Sequence, residues 1–142
     1  MELILWRHAD AEDGKPDLER KLTPKGEKQA KRVAQWLIDH LPEQFLVVAS
    51  PAVRAQQTAA ALGVQVKTDK ALAPGASVEQ ILAAVNTQET VVIVGHQPDL
   101  GRAVAHLVAG VCSEWHIEKG GFWWLSGEAP VAVRAVLSPD LL

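Results

Sequence analysis

Apolar positions along the chain fall into two patterns. Unbroken apolar runs (Leu3-Ile4-Leu5-Trp6, Phe45-Leu46-Val47-Val48-Ala49 and Val91-Val92-Ile93-Val94) predict strands at 2–7, 45–49 and 90–94 that are buried on both faces, as in a parallel sheet. Between them the apolar residues recur at helical spacing. Ala30, Val33, Ala34, Leu37, Ile38 and Leu41 form one stripe that starts after the cap-like pair Thr23-Pro24 and ends before Pro42. A second helix is predicted from Ser50-Pro51 through Arg54, Ala55, Thr58, Ala59 and Leu62, stopping at Gly63. Ser77 and Gln80 make a capping-box pair ahead of the stripe Val78, Ile81, Leu82 and Val85. Pro98 opens a fourth helix with Leu100, Val104, Leu107 and Val108 on its inner face and Gly110 at its end. Val64 to Lys67 reads as a short edge strand and Ala71 to Gly75 as a loop. Gly120 to Leu125 and Val131 to Leu137 read as two last strands around Ser126, Gly127 and Glu128. This alternation implies right-handed βαβ units. The expected fold is α/β, a mostly parallel central sheet covered by helices on both faces, in a single domain over residues 1–142.

Each long apolar run ends in chemistry. The first delivers Arg7-His8, the second Ser50 with Arg54 one turn on, and the third Gly95-His96. Open α/β sheets hold their ligands at the carboxyl ends of the strands. If the three strands are neighbours, two guanidinium groups and two imidazoles converge at one rim, where they repel one another unless an anion completes the site. Arg54 sharpens the point, because a cation in the first turn of a helix sits at the wrong end of the dipole unless an anion shares the position. A phosphoryl group matches the planar fork of arginine.

Composition narrows the classes. The chain has 142 residues, 48% of them hydrophobic and 22% charged, with a formal net charge of -3. At a pI near 5.9 it has no overall drive toward nucleic acid or anionic lipid, so any basic site is local. No apolar run approaches the roughly 20 residues of a membrane span. The amino terminus shows no signal-peptide succession, and a cytoplasmic location is expected. The single cysteine, Cys112, cannot form an internal disulfide, and no Cys/His spacing suggests zinc; Cys112 is expected to be a small buried hydrophobe.

Arg7-His8-Ala9, the block Ser50-Pro51-Ala52-Val53-Arg54-Ala55-Gln56-Gln57-Thr58, and Gly95-His96 after a strand resemble, in order and across essentially the whole chain, the three signature blocks of the histidine phosphatase superfamily. The short length and the leader Leu3-Ile4-Leu5-Trp6-Arg7-His8-Ala9-Asp10-Ala11-Glu12 are most similar to its SixA-type phosphohistidine phosphatases. The resemblance implies a phosphoglycerate mutase-like fold, with His8 as the nucleophile that takes the phosphoryl group. Arg7, Arg54 and His96 would bind its oxygens and stabilise the transition state. No metal or other cofactor is implied. Ala9 stands where the superfamily usually has glycine, which would strain the loop if that position needed a positive φ. Asp10 and Glu12 are the candidates for a general acid. His40, His106 and His116 match no block, and Gln57 and Thr58 are expected to support packing around the site.

The implied partner is a phosphohistidine-bearing protein as substrate. The rival substrates are small phosphomonoesters, and a rival of another class is a weakly catalytic module that binds phosphoproteins through the same pocket. No long insertion lies between Ser50 and His96 to form a lid, which favours a protein surface over an enclosed metabolite.

Overall fold

The alternation inside the apolar runs is two-sided. On β1 (Glu2–Arg7), Leu3 and Leu5 enter one core while Ile4 and Trp6 enter another; on β4 (Thr90–Gly95), Val91 and Ile93 separate from Val92 and Val94 in the same way. A strand with both faces apolar must be covered on both, and helices do this here. The computed structural model describes residues 1–142. α1 (Pro24–His40) and α2 (Val53–Ala60) press Val33, Ala34, Leu37, Ala55 and Ala59 onto the Ile4 face. α3 (Val78–Ala83) and α4 (Asp99–Ala109) press Ile81, Leu100, Ala103, Val104 and Leu107 onto the Leu3 face.

With β2 (Leu46–Ala49), β3 (Lys67–Thr68), β5 (Phe122–Ser126) and β6 (Ala132–Leu137), the strands form one sheet in the order β3-β2-β4-β1-β5-β6. The β1–β4, β2–β4 and β2–β3 pairings are parallel, and β5 runs antiparallel to both β1 and β6. No helix is long and apolar enough to cross a membrane. α1 is capped as expected, the Thr23 hydroxyl accepting from Gly26 N–H at 2.9 Å, and α3 carries the full capping box of Ser77 and Gln80. α4 ends at Gly110 in the left-handed conformation.

Three expectations need correction. Ser50-Pro51 does not open α2: the chain stays extended at Ala52, the helix starts at Val53, and no side chain caps it. The Ser50 hydroxyl is engaged elsewhere, accepting from Ala52 N–H at 3.2 Å and meeting His96 Nε2 at 2.7 Å. Cys112 is exposed, not buried. After Gly110 the chain leaves α4 in an irregular surface stretch that regains the core at Ile117, so composition alone misplaced this thiol. The edge strand expected at 64–67 is only the two residues of β3.

Candidate active site

Strand register brings the chemistry together. Arg7 pairs with Gly95 across β1 and β4, and Ala49 pairs with Val94 across β2 and β4, so His8, Ser50 and His96 are the first residues past three adjacent parallel strands. Two further backbone bonds extend the ladder past its ends, His8 N–H to Gly95 O at 3.0 Å and Ser50 N–H to Val94 O at 3.0 Å. Arg54 arrives from the first turn of α2. Arg7, His8, Arg54 and His96 line one cavity of about 240 Å³, together with Ala11, Asp13, Arg20, Pro74, Gln97 and Lys119. A larger groove of about 880 Å³ at the β2–β3 edge has Lys67 as its only ionisable lining residue, whereas the smaller cavity gathers two imidazoles, three arginines, a lysine and a carboxylate.

Hydrogen bonds fix the ring states. His8 Nδ1 lies 2.7 Å from Ala9 O, and a carbonyl only accepts, so Nδ1 carries the proton and Nε2 keeps its lone pair. Arg54 Nε–H donates to that Nε2 at 3.3 Å. Arg54 NH2 lies 3.4 Å from His96 Nδ1; because arginine only donates, His96 is protonated on Nε2, which donates to Ser50 Oγ. The rings lie 5.2 Å apart, centroid to centroid. Burial, reinforced by Arg54 and Arg7 and opposed by the Ala9 bond, drives the His8 pKa from the ordinary 6.5 down to about 4. Burial, with His8 and Arg54 behind it, drives His96 down to about 3. Both imidazoles are therefore neutral at pH 7, and His8 presents an unprotonated nitrogen without first losing a proton.

Both guanidinium groups are anchored from behind. Arg7 donates to Ile117 O at 2.8 Å, and burial holds its pKa below the usual guanidinium value. Its Nε is the one buried side-chain polar atom without a partner. Arg54 donates to Asp17 O at 2.8 Å and to Asp17 Oδ2 at 3.1 Å. Burial works to raise the Asp17 pKa, but its bonds from Arg54 and Arg20 hold it below the ordinary carboxylate value. Ala9 N–H donates to Thr58 Oγ1 at 3.1 Å, and no residue other than glycine has positive φ, so alanine at position 9 carries no strain of that kind. Gln57 accepts from Leu22 N–H at 2.7 Å, which ties the loop after His8 to α2.

The two loop carboxylates singled out from the sequence do not line the cavity. Asp10 accepts from Thr23 Oγ1 at 2.7 Å and Lys119 Nζ at 3.1 Å, and these bonds keep its pKa low; Glu12 is exposed. Asp13 lines the cavity instead, and Asp17 meets Arg54. Sequence reasoning missed Asp17 because its partner is 37 residues away and nothing in its spacing points there.

The model of the histidine phosphatase superfamily (branch 1) matches residues 3–74, which include Arg7, His8 and Arg54. The chain belongs to the histidine phosphatase superfamily. Membership supports phosphatase activity, and the chain's likeness is to the SixA-type members. A candidate phosphohistidine phosphatase SixA from Nakamurella multipartitia is 35% identical, with 97% of this chain and 95% of that one covered and a TM-score of 0.84. The protein histidine phosphatase SixA complexed with tungstate has the same fold, at 24% identity, 99% of each chain and a TM-score of 0.87. The fold is also shared, at 17% identity, 96% of each chain and a TM-score of 0.73, with a phosphoserine phosphatase from Entamoeba histolytica in complex with 3-phosphoglyceric acid. An uncharacterized protein of Picosynechococcus sp. is 42% identical over 71% of this chain and 69% of its own.

Proposed function

We propose that residues 1–142 form a cytoplasmic, metal-independent phosphatase that works through a phospho-His8 intermediate and acts on protein phosphohistidine. The observation that carries this reading is the His8 ring: its Nδ1–H is held by Ala9 O, so Nε2 is unprotonated, and its lone pair is held in the cavity by Arg54 Nε–H, which an incoming phosphoryl group would draw to its own oxygens.

In the first half-reaction His8 Nε2 attacks phosphorus, the P–N bond to the substrate imidazole breaks, and that imidazole leaves with its proton. Arg7 and Arg54 hold the equatorial oxygens, which is most of what phosphoryl transfer asks of a protein. The unpartnered Arg7 Nε supports this role, because a buried donor without an acceptor costs about 1–3 kcal/mol and an oxyanion supplies one. His96 Nδ1 accepts from Arg54 in the free site, so it bonds an oxyanion only after taking up a proton, which the incoming negative charge favours. In the second half-reaction water attacks phospho-His8 and releases phosphate.

The phosphohistidine assignment rests on the leaving group. A phosphoramidate nitrogen is protonated before it departs, whereas an alkoxide needs a positioned acid. Asp10 and Glu12, the sequence candidates for that acid, lie outside the cavity lining, and Asp13 is the one carboxylate within it. Steady-state kinetics on three substrate classes test the reading. We expect kcat/KM for a phosphohistidine peptide to exceed that for sugar phosphates and phosphoglycerate by about 10²-fold, equivalent to about 2.7 kcal/mol. Aryl phosphates should fall between. A sugar phosphate or phosphoglycerate as best substrate, lost selectively in Asp10→Asn, Glu12→Gln or Asp13→Asn, would transfer the site to small phosphomonoesters.

A further inference from the structure

On α1, Lys25, Lys28 and Arg32 follow one another at three- and four-residue intervals, so they share one side of the helix. All three are exposed, and none takes part in any of the six ion pairs of the protein. With Gln29 they form one wall of a groove of about 370 Å³ whose other wall is Pro139 and Asp140. Asp140 is bonded by the neighbouring Ser138 hydroxyl. Local helix electrostatics disfavour this placement: like charges three or four residues apart repel, and Lys25 and Lys28 lie toward the amino end of α1, where the helix dipole disfavours cations, offset in part by the attraction of Lys25 for Asp10.

The groove runs toward the catalytic cavity. Gln29 Oε1 accepts from Asp10 N–H at 2.9 Å, and a Cβ at Gly120 would meet Gln29 Cβ at 3.3 Å and Pro139 Cγ at 3.0 Å. Lys119, adjacent to Gly120, pairs with Asp10 and lines the cavity, where Arg20 also stands. A strip of unpaired cations on α1 thus flanks the site loop, separated from His8 by the Lys119–Asp10 ion pair, on a chain whose net charge is -3.

We propose that the α1 groove docks an acidic face of the phosphohistidine-bearing substrate protein, setting its phosphoryl group down beside His8. This rests on the protein-phosphohistidine reading above. Charge complementarity selects the occupant, because such a strip steers and orients an acidic surface. A nucleic acid fits less well, since the groove presents no aromatic side chain for base stacking, Asp140 stands in its wall, and the chain as a whole carries a net charge of -3.

The test uses the full chain, its K25E/K28E/R32E variant, and two histidine-phosphorylated peptides of equal length, one flanked by Asp and Glu and one by Lys and Arg. Wild type should prefer the acidic peptide by about tenfold or more in kcat/KM at low salt, with the preference shrinking as salt rises. The variant should lose the preference through KM while its kcat/KM on an aryl phosphate stays unchanged. Equal use of the two peptides by wild type, or a preference that survives in the variant, overturns the proposal. If aryl phosphate is hydrolysed and neither phosphopeptide is, the substrate reading has failed by itself. Fluorescence anisotropy with an unphosphorylated Glu-rich peptide then decides the groove: binding lost in the variant upholds an acidic-protein dock, and no binding, or tighter binding of an RNA oligonucleotide, rejects it.

Discussion

Ser50 shows how a side chain outside the reacting set governs one inside it. Its hydroxyl accepts the Nε2–H of His96, and this bond, with Arg54 on the other nitrogen, sets the tautomer and tilt of the ring. Ser50→Ala leaves that buried N–H unpaired, a loss of about 1–3 kcal/mol, without removing the ring itself. Loss of a well-aimed charge stabiliser, the role proposed for His96, is worth about 10²–10³ in kcat. We therefore expect His96→Ala to lower kcat on aryl phosphate by that amount, and Ser50→Ala by about tenfold. In the His96→Ala background Ser50→Ala should add nothing, because a positioning residue has nothing left to position. Additive losses across the double-mutant cycle would show that Ser50 acts on its own.

At the scale of elements, the loop after His8 is held by its neighbours. Asp10 N–H and O bond Gln29 and Thr23 N–H, and a Cβ at Gly26 would lie 1.9 Å from Asp10 O. Gly26 is thus required by the close approach of α1 to the backbone of the site loop. Gly26→Ala must push α1 and this loop apart, so it should lower the thermal midpoint despite the better helix propensity of alanine, and lower kcat with it. A midpoint that rises, as for an exposed helical glycine, would contradict the contact. The strands and helices were legible because their signals are local: apolar runs, the Thr23 and Ser77 caps, and the stop at Gly110. The convergence of Arg7, His8, Arg54 and His96 was also legible, since Arg7, His8 and His96 stand at or just past strand ends and Arg54 stands in the first turn of the helix after one. The start of α2 was misread because Ser50, a good N-cap in isolation, spends its hydroxyl on a ring 46 residues away. Asp17 and the α1 groove were invisible for the same reason, since both depend on contacts between distant segments.

For the molecule as a whole, the site is a local departure from what stability favours. His8 is 9% and His96 4% exposed, packed beside two permanent cations at the end of an apolar sheet. Their pKa values fall from 6.5 in the unfolded chain to about 4 and about 3 in the folded one. Between those limits the unfolded state binds more protons, so stability is lost as pH falls below 6.5 and levels off only beneath the folded values. Carboxylates held low by bonds, Asp10 and Asp17, act in the same direction at lower pH, and Asp99, raised by burial, acts against them. The window from pH 6.5 to 5 therefore belongs to the two imidazoles. The urea midpoint should drop across it in wild type and much less in a His8→Gln/His96→Gln variant. An unchanged wild-type midpoint would mean that the rings are not buried neutral.

The most direct measurement is chemical trapping of the phosphoryl group. The full chain is mixed with a ³²P-labelled histidine-phosphorylated peptide, quenched in alkali within milliseconds, and digested with trypsin. Transfer to His8 Nε2 predicts a label that survives base, is lost in acid, and lies on the peptide His8–Arg20, in which His8 is the only histidine. The label should be absent from His8→Ala, which should also be inactive. Turnover that leaves no label on that peptide, a label on another residue, or activity retained in His8→Ala would contradict a phospho-His8 intermediate.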